Sequence, residues 1–298
     1  MRLSASSVIL IKGIACMLAC VFVTALAGAA TKHIATAVPV TTIVCAQYLI
    51  CLLLQAPIIF RSGFSMLVTE HKFTHLIRSL GGWLCFLCYY LAIDHVPLVD
   101  AALLRSASPL CVPVVIWLMM RRSIPAAQWL PLIVGFVGVG LILKPDTGTI
   151  SIWHLVGFLS AVFLAVSMVY TRKLTFTEPG QRILFYYFLV SFVCSLPLMM
   201  LGWRSFDWSW FPYLLFIGIS IYIALWLYTK AYLYAEASVV SPFSYFGVIF
   251  AGFFGWLFWG HIPDGSSLAG IALVICGGIL TVVIRESRSS AEDQSKVV

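Results

Sequence analysis

Charge is what this sequence has least of. Asp, Glu, Lys and Arg together make up 10% of its 298 residues, where a soluble domain carries about 25%. Hydrophobic residues make up 62%, a composition suited to a chain solvated by lipid rather than one folded around a single aqueous core. No polar stretch is long enough for a separate soluble domain; the longest connection is the basic loop around Arg61–Lys72. Acids are absent from the middle of the apolar runs. All eleven Asp and Glu residues lie in loops or near run ends, which leaves no mid-membrane carboxylate to serve as a proton relay. Carboxylate-driven export of lipophilic cations is therefore disfavoured.

Other absences narrow the field further. None of the nine cysteines falls in a polar loop, so no disulfide framework is expected. Cys85-x-x-Cys88 has no second pair and no nearby His to complete a site, so neither a metal nor another cofactor is expected. HExxH, GxSxG and paired intramembrane carboxylates are missing, and the six histidines sit at run ends, which argues against an intramembrane enzyme. The surplus of 18 Lys+Arg over 11 Asp+Glu reads as membrane topology, and no nucleic-acid partner is expected.

What is present is a series of apolar runs. Polar punctuation divides the chain into ten spans: 8–30, 37–60, 73–93, 97–120, 127–144, 151–171, 181–201, 211–233, 238–259 and 264–284. Each approaches the 17–25 residues that cross a bilayer. The first is longer than a signal-peptide core and is read as a retained helix. Loops on one side gather most of the Lys and Arg, while the other side holds only Lys32, Lys144 and Arg204. The positive-inside rule then places both termini in the cytoplasm.

The chain also repeats itself. "PLIVGFVGVGLIL" (131–143) aligns with "GIALVICGGILTV" (270–282), which sets Gly138 on Gly277. "IPAAQWL" and "IPDGSSLAG" precede the two segments. The unit is five helices, and an odd number inverts the second copy relative to the first. The expected fold is an all-α polytopic membrane protein with two inverted five-helix repeats. Residues 1–145 would form the first and 146–285 the second, with a disordered cytoplasmic tail over 286–298.

Two segments carry a resemblance. "FLCYYLAIDHVPLVDAALLRSASPLCVPVVIWLMM" (86–120) resembles the first-repeat signature of the EamA-type permeases of the drug/metabolite transporter superfamily. "KAYLYAEASVVSPFSYFGVIFAGFFGWLFWGHIP" (230–263) is similar to the second-repeat signature. Lys32, Pro39 and "HLIRSL" look like the metabolite-permease branch. The resemblance implies ten helices around a central cavity and carriage of small organic solutes. Two departures stand out. Family members commonly end helices four and nine with Gly-Glu, where this chain has Arg121-Arg122 and Gly260-His261. A basic residue often found in helix two is here Gln47.

Arg105 is the most conspicuous ionisable residue. It lies about eight residues into the fourth span, roughly 12 Å deep, where a lone guanidinium costs about 2.5–3.5 kcal/mol. Two readings stand: a cavity site that grips a carboxylate or phosphate with paired hydrogen bonds, or an Arg that snorkels or pairs with Asp100. In the eighth span, Tyr222, Trp226 and Lys230 share a face that could stack on a planar ligand. In the third, Arg78, Cys85 and Tyr89 share another. Interfacial anchoring is the alternative for Lys230 and Arg78. Tyr245 and Gln47 join the candidate substrate-binding residues through the resemblance. Pro109, Pro113 and Pro242 are candidate hinges or packing kinks.

The leading expectation is a secondary transporter in the cytoplasmic membrane, working by alternating access as an exporter or exchanger. Its cargo would be a small anionic or zwitterionic metabolite, such as an amino acid, organic acid or nucleoside-like compound. An intramembrane enzyme and a non-transporting receptor or structural protein are the alternatives. Besides lipid and substrate no partner is required; a monomer suffices, and a dimer is compatible.

Overall fold

The computed structural model describes residues 5–121, 129–143, 151–205, 207–234, 241–261, 265, 268–277 and 279–280. Among these, every regular element is helical: α1 (Ala5–Ile34), α2 (Val40–Ser62), α3 (Lys72–His95), α4 (Leu98–Ser106), α5 (Ser108–Met120), α6 (Trp129–Leu143), α7 (Ile152–Thr175), α8 (Gly180–Leu201), α9 (Phe211–Tyr234), α10 (Phe246–Trp259) and α11 (Leu268–Gly277). Seven helical spans are long and apolar enough to cross a bilayer. The spans expected at 127–144, 238–259 and 264–284 appear as shorter apolar helices, Trp129–Gly138, Phe243–Trp259 and Leu268–Gly277. Their flanks, the repeat boundary at 145–146 and the tail at 286–298 lie outside the described residues. The outer surface is apolar: Leu53, Phe60, Leu118, Val193 and Trp256 are all exposed. In water such a coat would aggregate; in a bilayer it is the solvent-matched surface.

The fourth expected span is two helices. The chain turns at Ala107 (φ −71°, ψ −2°), where its carbonyl accepts from Leu110 N at 3.0 Å and Cys111 N at 3.3 Å. Pro109, in the first turn of α5, lacks the N–H that a continuous ladder would need. The ninth span starts as a 3-10 turn, Ser241–Tyr245, which contains Pro242 and runs directly into α10. Pro113, by contrast, sits inside α5 without ending it.

The packing follows a two-fold scheme in which α1 corresponds to α7, α2 to α8, α3 to α9, α4–α5 to α10, and α6 to α11. The pairing of α3 with α7 is matched by that of α9 with α1, and α3 with α8 is matched by α9 with α2. Contacts of α7 with α4 and α5 are matched by those of α1 with α10. The pairs α2–α8 and α4–α10 are each their own counterpart. At the α6–α11 crossing, a Cβ on Gly138 would stand 2.8 Å from Gly270 O and Val274 N, and one on Gly277 2.8 Å from Pro131 O and 2.7 Å from Gly135 N. Only glycine at both positions lets the backbones approach this closely. The broadest interfaces, α3–α7 and α1–α9, run between the two halves of the sequence rather than within either. The halves are interlocked, and neither has a core of its own.

Candidate functional site

At the centre of this arrangement lies a cavity of about 170 Å³, bounded by α1, α3, α4, α5, α7, α8, α9 and the start of the ninth span. Its wall repeats. On α3 and α9, Cys85 corresponds to Ala224, Phe86 to Leu225 and Tyr89 to Tyr228; Arg105 on α4 corresponds to Ser244. Each pair has the spacing that relates Gly138 to Gly277. On α1 and α7 the correspondences are Met17 with Leu164, Cys20 with Ser167 and Thr24 with Thr171, at a second constant spacing. The cavity thus straddles the pseudo-two-fold axis, the position where carriers built from inverted repeats hold their substrates.

Arg105 reaches this cavity from the last turn of α4. Its guanidinium carbon lies 4.8 Å from the ring centre of Phe86 and 4.9 Å from that of Tyr89, with Cys85 beside it. Each ring contributes roughly 0.5–2 kcal/mol to a cation held over its face, which offsets much of the insertion cost but satisfies no N–H. Arg105 Nε is buried without a hydrogen-bond partner. Asp100 lies in the first turn of α4 and Arg105 in its last. Five residues on a helix leave about 140° between two side chains, so Asp100 and Arg105 point apart.

Arg78 enters the same cavity from α3. It is 6% exposed, donates from Nε to Thr171 Oγ1 at 3.1 Å, and stacks over Tyr187 at 3.9 Å. Its Nη1 has no partner. Arg78, Cys85 and Tyr89 therefore share the cavity-facing side of α3, and Arg105 and Pro109 line the same cavity. No Asp or Glu lines the cavity among the described residues.

The remaining candidates lie elsewhere. Tyr222 donates to Gln55 Oε1 at 3.1 Å, and Lys230 stands 5.7 Å from the Trp226 ring, which is itself 47% exposed. That face of α9 does not line the cavity; Ile221, Ala224, Leu225 and Tyr228 do. Gln47 is fully buried and accepts from Tyr90 at 2.6 Å, next to the Tyr48–Tyr187 pair. Tyr245 is 3% exposed and belongs to the apolar cluster built by α4, α5, α7 and their neighbours, and the cavity position expected for it is taken by its neighbour Ser244. Pro113 packs inside α5, away from the cavity, and Pro242 occupies the 3-10 turn.

Sequence reasoning overlooked Tyr228, Tyr187, Ser244 and the hydroxyl pair Thr24–Thr171. The repeat supplied a signal for the first: Tyr89 carried forward by the glycine spacing falls on Tyr228. A second polar cluster was also unforeseen. Glu178, between α7 and α8, accepts from Thr69 and is paired with Arg182. Arg182 also donates to Met66 O, and Tyr186 to Leu67 O at 2.7 Å. Together they bind the α2–α3 loop to the α7–α8 corner. Burial would raise the Glu178 carboxyl, but the hydrogen bonds from Thr69 and Arg182, with the Arg182 charge, hold it below the usual carboxylate range. At the other end of the bundle Lys32 Nζ donates to Ile93 O and Val96 O, both at 2.7 Å, and so caps the C-terminus of α3.

Comparisons with known proteins agree with this architecture. The EamA-like transporter family profile matches twice, over residues 11–144 and 151–283. A pseudopaline exporter of Pseudomonas aeruginosa is 35% identical over 216 residues, 70% of this chain and 72% of its own. An S-adenosylmethionine uptake transporter of Rickettsia felis is 23% identical over 80% of this chain and 82% of its own. A riboflavin transporter of Vibrio cholerae is 27% identical over 80% of each. One crystal structure superposes on 95% of this chain and 98% of its own with a TM-score of 0.61 at 19% identity, a likeness of fold alone. The two-fold packing, the apolar coat and the twice-matched profile lead to one conclusion: the chain belongs to the EamA-like transporter family and is a multi-pass membrane transporter of small metabolites, not an enzyme.

Proposed function

We propose that the protein exports a small anionic or zwitterionic organic metabolite across the cytoplasmic membrane by alternating access, and that Arg105 is its principal substrate contact. The observation that carries this reading is the buried, unpartnered Nε of Arg105 in a central cavity with no acid among its described lining residues. Guanidinium is always charged and its fork matches carboxylate or phosphate. A bound anion supplies the hydrogen bonds that the ring faces of Phe86 and Tyr89 cannot. Export rather than import is supported by the 35% identical exporter of pseudopaline. Both termini and the basic loops, including that at Arg61–Lys72, face the cytoplasm in this reading, which rests on the charge distribution.

The packing suggests which bodies move. Because α3, α4 and α7 pack together, and α1, α9 and α10 pack together, the rocking units are these interleaved groups rather than residues 1–145 against 146–285. Each group takes helices from both repeats. The α4–α5 break at Ala107 corresponds to the junction between the 3-10 turn Ser241–Tyr245 and α10 at Phe246, one break per group, beside the cavity.

Screening the purified full-length protein against a metabolite library by thermal unfolding identifies the cargo, because a ligand held at one hundred times its Kd stabilises the folded state by about 2.7 kcal/mol. S-adenosylmethionine and riboflavin belong in that library as cargo of relatives. The best-stabilising compound is then loaded into proteoliposomes and its counterflow measured. Stabilisation and counterflow by anionic or zwitterionic compounds support the reading. Response to lipophilic cations alone contradicts it.

A further inference from the structure

The two repeats give the cavity the same shape on both sides of the axis but not the same charge. Arg105 and Cys85 correspond to Ser244 and Ala224. Arg78, by the same spacing, corresponds to Ile217, which is fully buried and outside the cavity. Both cavity guanidiniums thus come from the first repeat, whereas α9 of the second lines the cavity with Ile221, Ala224 and Leu225 and the phenol of Tyr228. The guanidiniums stand at different heights. Arg78 lies over Tyr187, whereas Arg105 lies against Phe86 and Tyr89. Tyr187 packs against Gly82, four residues before Phe86 on α3, which at 1.5 Å per residue separates the two levels by roughly 6 Å. Each keeps a buried N–H without a partner: Nη1 on Arg78 and Nε on Arg105.

Two like charges in one low-dielectric cavity repel each other. A single anion bound to one of them leaves the other unanswered. The geometry points to a substrate with two anionic groups, carboxylates in the simplest case, that bridge Arg105 and Arg78 along one edge and turn an apolar edge toward α9. This deepens the function proposed above and rests on it. Arg78 meets one anionic group with its free Nη1 while its Nε remains on Thr171. Arg105 meets the other at the end nearer the α4–α5 break. A zwitterion with one carboxylate occupies only half of the site.

The test uses purified full-length protein and two probe series: straight-chain α,ω-dicarboxylates of four to ten carbons, and the monocarboxylates of equal length. Binding is read by calorimetry. The affinity of the dicarboxylates rises to an optimum within the series, where it exceeds that of the matching monocarboxylate at least tenfold. Arg105→Gln and Arg78→Gln each bring the dicarboxylate down to monocarboxylate affinity, with ligand-free unfolding temperature confirming that the variants fold. Should Arg78→Gln fail to fold, Arg78→Lys keeps the charge but loses the fork, and the dicarboxylate advantage shrinks at least threefold. Equal affinity for both series at every length, or a dicarboxylate advantage that survives Arg78→Gln or Arg78→Lys undiminished, overturns the two-anion site and leaves the anionic-cargo reading standing. No binding by either series likewise overturns the two-anion site, and the library screen then decides the anionic-cargo reading separately.

Discussion

The hydroxyls of Tyr48 and Tyr187 meet at 2.8 Å, and the two residues stand 139 positions apart in the chain. That spacing is the one that relates Gly138 to Gly277 and Tyr89 to Tyr228, so the pair is a residue meeting its own counterpart on the pseudo-two-fold axis. Both side chains are buried, with ring centres 5.4 Å apart. Removing one hydroxyl leaves the other without its partner, at about 1–3 kcal/mol, whereas removing both deletes the need along with the bond. Tyr48→Phe and Tyr187→Phe should therefore each lower stability, and the double variant should cost clearly less than their sum. A double-mutant cycle of unfolding free energies in detergent measures this coupling; additive costs contradict it.

The α6–α11 crossing makes a second prediction. Alanine at Gly138 or Gly277 places a Cβ within 2.8 Å of backbone atoms that cannot rotate away, so each substitution should destabilise by about 1–3 kcal/mol. Gly255 is the control: it lies within α10, and a Cβ there meets nothing within 4 Å. Alanine at that position should be neutral or stabilise by about 0.5–1 kcal/mol through helix propensity. Thermal unfolding of the three variants side by side tests the contrast.

Arg121 and Gly260 end α5 and α10 at corresponding positions, and both are left-handed, with φ of 52° and 65°. Among the described residues Arg121 is the only non-glycine with positive φ. A side chain there costs about 1–2 kcal/mol. Arg121→Gly should raise the unfolding temperature, reduced somewhat by glycine's greater freedom in the unfolded chain. A fall in unfolding temperature contradicts the strained cap.

How much of this was legible beforehand depended on which kind of pattern carried it. Ten apolar runs and the glycine repeat announced a helical bundle with internal symmetry, because bilayer thickness and close helix crossings leave marks on composition. Arg105, Arg78 and Tyr89 stood out because a cation or phenol in lipid needs a reason. The face of Tyr222, Trp226 and Lys230 misled: periodicity shows that residues share a face but not which way it points, and in α9 the apolar face with Tyr228 turns inward. Tyr245 was displaced by one residue because the 3-10 turn after Pro242 rotates side chains by about 120° per residue instead of 100°. The Glu178 cluster joins residues more than one hundred positions apart, such as Thr69 and Glu178, and no local spacing reports such a contact.

That cluster predicts a pH dependence. The Glu178 carboxyl is 3% exposed and held below its ordinary range by Thr69 and Arg182. A depressed carboxyl contributes stability that is complete above its unfolded-state value near 4.3 and is lost as pH falls through the lower folded value. Stability should thus be flat in this contribution at neutral pH and decline below about pH 4. Glu178→Gln should lose about 1–3 kcal/mol at pH 7, and the gap between variant and parent should narrow on acidification. Unfolding measured from pH 7 to pH 3 decides this; a gap that widens toward low pH refutes it.

The central claim is that Arg105 meets the anionic cargo within the two-fold cavity. Its most direct test is the initial rate of counterflow in proteoliposomes, under conditions below saturation, for the metabolite that best stabilises the parent protein. The parent is compared with Arg105→Gln after both are shown to unfold cooperatively. Loss of a charge-assisted hydrogen bond at about 1.5–3 kcal/mol predicts that the variant transports roughly ten- to one-hundred-fold more slowly. Counterflow by Arg105→Gln at the parental rate would contradict the account.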